Sequence, residues 1–184
     1  MSRSLNTRSF LPVCLLLAAS LAPATLAEAT LDIRPASCPN LLDRQARSLV
    51  PVAIAGDFDF PPIRIVRSSL TLSRADGVGD SVTPFVSGRR TEPRVIDVTA
   101  PPVNGMCSTF GVDGIRDLRV FFGQQEMVSS LELESLPENS TVELCISGEL
   151  RYGGSFSACD VVTVSGLGIV VSDDGARDLP RSRR

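Results

Sequence analysis

The chain has 184 residues, with 18 cationic and 21 acidic side chains and a formal charge of −3, which suits one ordinary domain and a targeting segment rather than two sizeable cores. Every cation is arginine, because neither histidine nor lysine occurs. That excludes Ser-His-Asp and Cys-His nucleophiles, imidazole zinc sites, Schiff bases and the phosphate-loop lysine, and leaves carboxylates, thiols or a bound metal as the only catalytic means.

The first residues have the form of a secretory signal. Arg3 and Arg8 make a positive leader, Phe10 to Ala22 is apolar, and small residues follow at Ala22-Pro23-Ala24 and Ala27-Glu28-Ala29, so cleavage is expected between Ala24 and Ala29 with residues 1–27 as the leader. The apolar run is shorter than the ~20 residues that a spanning helix needs, and no later run is long enough, so no transmembrane segment is expected after removal of the signal. Without Arg3 and Arg8, 16 arginines face 21 acids. A nucleic-acid-binding face, which needs clustered cations, is not expected, and Arg89-Arg90 is too short a run to supply one.

The mature chain opens with TLDIRPASCPN, in which Leu31 and Ile33 alternate with Asp32 and Arg34 until Pro35 and Pro39 stop the strand. Leu41 to Ala46 suits a turn of helix. Val50 to Ala55 (VPVAIA) is apolar on both faces and reads as an inner strand, with Pro51 near its start. In the following GDFDF, an extended backbone puts Asp57 and Asp59 on one side and Phe58 and Phe60 on the other, in the core. Such a carboxylate pair is the one general acid/base device this composition permits, and a solvated edge is the simpler reading of it.

These segments carry a family resemblance. LDIRPASCPN followed by SLVPVAIAGDFDF resembles a module of secreted bacterial proteins that begins LDIKPGSCPN and continues with GVLPVAILG and a DFD element. The later DVTAP, the glycine-acid loop, the apolar strand ending in Phe121-Phe122 and the QQE at Gln124 to Glu126 extend the likeness over roughly Leu31 to Val164. What it implies is a fold and a location rather than an activity.

Pro61 to Leu72 alternates again and suits one or two strands. Ser73 to Arg94 is polar and reads as a long exposed loop, and Val95, Ile96 and Val98 make a short strand. The stretch Gly105 to Glu126 is the expected centre of any site, since it joins Cys107, a glycine-acid loop, a strand over Leu118 to Phe122 and a helix start. A calcium loop needs about 6 to 8 hard oxygen ligands at alternating positions. Set against the resembling module, Asp113, Gly114 and Asp117 match its D-x-D-x-D-G-like loop, whereas Thr109, Gly111 and Ile115 stand where aspartates would be. Asp113 and Asp117 are thus the candidate metal ligands, with Ca²⁺ the only cofactor worth considering, and the simpler reading is a tight turn at Gly111 and Gly114.

A short helix is expected over Gln124 to Leu131, then strands over Thr141 to Leu150 and Asp160 to Val171 around a turn at Arg151 to Ser155; beyond Ser172 the tail should fray. Asn139-Ser140-Thr141 matches a glycosylation sequon but reads as a turn. Seven to nine short strands with one helix define an all-β fold, an antiparallel β-sandwich of broadly immunoglobulin-like architecture spanning residues 28–171.

Four cysteines remain in the mature chain, Cys38, Cys107, Cys145 and Cys159, none in a C-x-x-C pair. They allow three disulfide pairings. Cys145 and Cys159 lie equally far from the middle of the Arg151 to Ser155 turn, so they are expected to face each other across a hairpin, leaving Cys38 with Cys107. With no tryptophan and one tyrosine, a stacking sugar site is not expected. The expected function is therefore a secreted or periplasmic, non-catalytic module that binds a protein or envelope component. The alternative is a carboxylate-dependent hydrolase or weak calcium-binding domain using Asp57, Asp59, Asp113 and Asp117.

Overall fold

Alternating side chains along Leu49–Ala55 and Asp117–Gly123 send Val50, Val52 and Ile54 to the same face as Phe122, Val120 and Leu118, which stand directly opposite them. That shared apolar face forms half of the core of the computed structural model, which describes residues 26–101, 107, 109 and 111–166. The strands are β1 (Leu26–Glu28), β2 (Thr30–Ile33), β3 (Asn40–Asp43), β4 (Leu49–Ala55), β5 (Thr71–Arg74), β6 (Arg94–Ile96), β7 (Asp117–Gly123), β8 (Thr141–Glu149) and β9 (Ser155–Ser165). One α-helix, α1 (Gln124–Ser130), follows β7 directly.

Two sheets result. One has the order β2-β4-β7-β6 and is wholly antiparallel; the other runs β1-β9-β8-β5, with β3 also on β9. In the second, Val142, Leu144 and Ile146 of β8 and Phe156, Ala158, Val162 and Val164 of β9 turn inward and join the inner face of the first sheet in one apolar cluster. Burial of such side chains supplies roughly 1.5–3 kcal/mol each. Met127, Val128, Leu131 and Leu133 close one end of this cluster. The expected sandwich-like, mainly antiparallel β fold with one helix is what forms. Two pairings depart from the antiparallel rule, since β1 and β3 both run parallel to β9.

Three local expectations give way in whole or in part. Leu41 to Ala46 is not a turn of helix: Asn40–Asp43 is strand β3, its Leu42 buried and Leu41 exposed, because β9 offers it a ladder. Of the one or two strands expected over Pro61 to Leu72, one forms, and only at the segment's end. Pro62 begins a 3₁₀ turn (Pro62–Arg64), a second follows at Arg67–Ser69, and the strand is Thr71–Arg74; a proline at the first helical position favours this start. Phe58 is not core but 93% exposed. The backbone there closes a turn, Asp57 N–H donating to the Phe60 carbonyl at 3.1 Å, so strand alternation does not apply, and only Phe60 turns inward, its ring centroid 5.3 Å from that of Phe156.

The loop from Ala75 to Pro93 runs over the surface as expected, pinned by Val82, which exchanges two backbone hydrogen bonds with Leu72. Gly79 lies so close to α1 that an added Cβ would come within 2.5 Å of the Ser130 carbonyl oxygen. The expected leader, residues 1–25 of it, lies outside the described residues, as do residues 167–184 of the final strand and tail. Leu26 and Ala27, placed in the leader by the sequence, belong to β1.

Candidate functional site

The stretch expected to organise the site does so through its backbone. Of Gly105 to Glu126, residues 105, 106, 108 and 110 lie outside the described residues. Asp117 begins β7 and is 1% exposed. Its Oδ1 accepts the Gly56 N–H at 3.0 Å and its Oδ2 those of Val98 and Thr99 at 2.8 and 3.0 Å. Burial raises the Asp117 pKa, against the opposing pull of these three donors. Asp113 is exposed and accepts the Ile115 N–H at 2.8 Å, while Asp97 accepts those of Asp113 and Gly114. Gly114 takes φ 92°, the left-handed geometry that the turn needs. Both candidate metal ligands are thus tied into turn and strand hydrogen bonds. Among the described residues no group of three or more His, Cys, Asp or Glu converges on one point.

The other expected acids sit elsewhere. Asp57 and Asp59 line an open cleft of about 450 Å³ together with Ala29, Thr30, Gly56, Phe60 and Pro101. Asp57 accepts the Asp59 N–H at 3.4 Å. Asp117 lies beneath this cleft by way of Gly56, whereas Asp113 is not part of its wall. The four acids of the alternative function are therefore divided between a cleft, a buried strand start and an exposed turn.

Residues the sequence did not single out form the most polar part of the interior. Asp160 on β9 accepts the Ile33 N–H at 2.7 Å and the Asn40 amide at 2.9 Å, so a side chain of one sheet fastens the edge strand of the other. Asp32 is 5% exposed, and its one side-chain donor is the Thr99 hydroxyl. Burial first, and then the charges of Asp160 and Asp117, push Asp32 up to about 6. Asp160 is also raised, mainly by burial. Only the lone polar residue in the Leu31-Asp32-Ile33 alternation hints at this cluster, because its partners arrive from far along the chain.

Two further polar groups have structural work. Arg44 is 5% exposed and donates to the carbonyls of Glu134, Leu136, Ser165 and Gly166. Gln124 donates to the Asp43 carbonyl and accepts from Ser48, while Gln125 donates to the carbonyls of Arg44 and Ala46. The QQE segment thereby holds the connection between β3 and β4 against α1. Both expected disulfides form, Cys145 with Cys159 at directly opposed positions of β8 and β9, and Cys38 with Cys107.

One end of the molecule exposes large apolar side chains. Phe58 is 93% exposed, Ile63 58% and Tyr152 95%. The Arg151 N–H donates to the Arg64 carbonyl at 2.7 Å, and Ile65 bridges Leu150, so the segments bearing Ile63 and Tyr152 are fastened side by side. Tyr152 has φ 74°, at the tip of the β8–β9 turn.

Comparison with protein-family models, with curated proteins and with solved structures finds no match to this chain.

Proposed function

We propose that this chain is an exported, non-catalytic module that binds a protein or envelope component through the end that carries Phe58, Ile63 and Tyr152. The observation that carries the reading is Tyr152. A bulky residue in the left-handed region is strained by roughly 1–2 kcal/mol, and here no packing offsets the strain, since the ring is 95% exposed. The positive φ serves the β8–β9 turn, in which the Leu150 N–H donates to the Gly154 carbonyl at 3.0 Å, but the exposed ring serves nothing in the fold, and exposed aromatics are common anchors of protein interfaces. Export accords with the two disulfides, and among the described residues no helix is long and apolar enough to cross a bilayer.

The test is capture of partners from the producing cell's envelope by cross-linking, with wild type beside Tyr152→Gly and Phe58→Ser. A partner retained by wild type and lost from both variants supports the reading. Tyr152→Gly should unfold at the same or a higher temperature, by about 1 kcal/mol of added stability, so loss of capture cannot be blamed on unfolding. Equal capture by all three proteins would refute the proposal. The leader should be cut so that β1 survives, and amino-terminal sequencing of the exported protein is expected to begin at Thr25; a start beyond Glu28 would contradict that.

The second reading, a carboxylate-dependent hydrolase or weak calcium-binding domain, is favoured by one observation, the open cleft walled by Asp57 and Asp59. Calorimetric titration with Ca²⁺ of wild type, Asp57→Asn and Asp113→Ala distinguishes it. Heat that only the first variant abolishes would assign the cleft, and heat that only the second abolishes would assign the turn.

A further inference from the structure

The edge of the β2-β4-β7-β6 sheet brings together arginines that are far apart in the chain. β6 pairs with β7 so that Arg94 stands directly opposite Arg119. Like charges at opposed positions of an antiparallel ladder destabilise it, and among the described residues no carboxylate forms an ion pair with either, the ion pair found there being Arg74 with Asp76. The Arg94 guanidinium donates to the Arg89 carbonyl at 2.7 Å, which draws the Arg89-Arg90 turn alongside. That turn is well held, since Thr91 Oγ1 accepts the Ser87 N–H at 2.8 Å and donates to the Gly88 carbonyl at 3.1 Å. The Arg119 guanidinium carbon lies 5.1 Å from the centroid of the Phe121 ring, and its buried Nε has no acceptor among the described residues.

The acids nearby do not answer these charges. Glu92 is the one acid between Phe85 and Arg94. Asp117, two residues along β7, is occupied by three backbone N–H groups, and Asp32, across Ala53 in the same sheet, is bonded to Thr99. Two arginines therefore stand opposed on the edge of one sheet, with the backbone of the Arg89-Arg90 turn drawn to the first, in a molecule whose overall charge is negative.

We propose that Arg94 and Arg119, flanked by Arg89 and Arg90, form a binding site for a phosphate-type oxyanion. Guanidinium presents planar paired donors that match phosphate oxygens. An anion lying between Arg94 and Arg119 removes their mutual repulsion. The site is distinct from the apolar end that carries Tyr152 and does not depend on it.

The experiment titrates the disulfide-bonded protein with inorganic pyrophosphate by calorimetry and, in parallel, floats it with vesicles of phosphatidylglycerol or of phosphatidylcholine alone. Wild type should bind pyrophosphate, more weakly as salt is raised, and Arg94→Gln should lose about tenfold in affinity, as expected for removal of one charge-assisted donor pair. Arg119→Lys keeps the charge but not the paired donors and should also lose affinity. Binding in the pyrophosphate arm alone assigns a free phosphate ligand. Flotation with phosphatidylglycerol that both variants abolish assigns a lipid headgroup. Absence of binding in both arms, or binding that neither variant weakens, overturns the proposal.

Discussion

Asp32 shows most clearly what a single buried group does to the whole. Its pKa is raised from 3.8 to about 6 by burial and by neighbouring acids. A carboxyl raised in the folded state adds stability that is complete below its unfolded pKa and is lost as pH rises through the folded one. The shift corresponds to about 3 kcal/mol between the two limits. Asp117 and Asp160 are shifted in the same direction. The melting temperature should accordingly climb as pH falls from neutral towards 4, and Asp32→Asn should flatten that slope; identical slopes in the two proteins would show that Asp32 is not the cause. Gly56 is the other residue on which much rests, since its N–H holds Asp117 and an added Cβ would sit 2.1 Å from the Arg116 carbonyl oxygen. Gly56→Ala should destabilise by roughly 1–3 kcal/mol, measured by denaturant unfolding.

At the level of elements, the two disulfides differ in what they restrain. Cys38–Cys107 spans 69 residues and Cys145–Cys159 only 14. Chain entropy assigns about 4 kcal/mol to the longer closure and about 3 kcal/mol to the shorter. Replacing Cys38 and Cys107 by serine should therefore lower the unfolding midpoint more than the same change at Cys145 and Cys159, and the reverse order would mean that native-state effects dominate. The hairpin pairing was legible because two strands joined by a short turn place equidistant cysteines opposite each other. β4, β7, α1 and β8 were legible from periodicity for a similar reason, as each segment is long enough to show its pattern. β3 was not, because a four-residue strand has no pattern of its own and exists through β9. Phe58 misled for the converse reason, an alternation of two phenylalanines that a turn interrupts.

For the whole molecule, the two-sheet plan could be read from composition and alternation, but the candidate sites could not. The acids that the sequence paired, Asp57 with Asp59, do share a cleft, while Asp113 serves an exposed turn and Asp117 the buried start of β7. The buried cluster at Asp32 joins residues from β2, β9 and the segment after β6, and the arginine edge joins a loop to two strands. Contacts of that separation leave no local trace in a single sequence. The disulfides and the apolar patterning locate the core, and the chemistry lies where distant segments meet.

The parallel seating of β1 and β3 on β9 has a consequence for how the chain comes into being. Leu26 is in register with Ser155 and Asn40 with Val162, so the first and third of the described strands take their partner from the last of them. A growing chain can pair β2 with β4, yet β1 and β3 stay unmatched until β9 has been synthesised. Contacts of such long range slow folding, and here the seating of β1 and β3 also waits for β9 to be made.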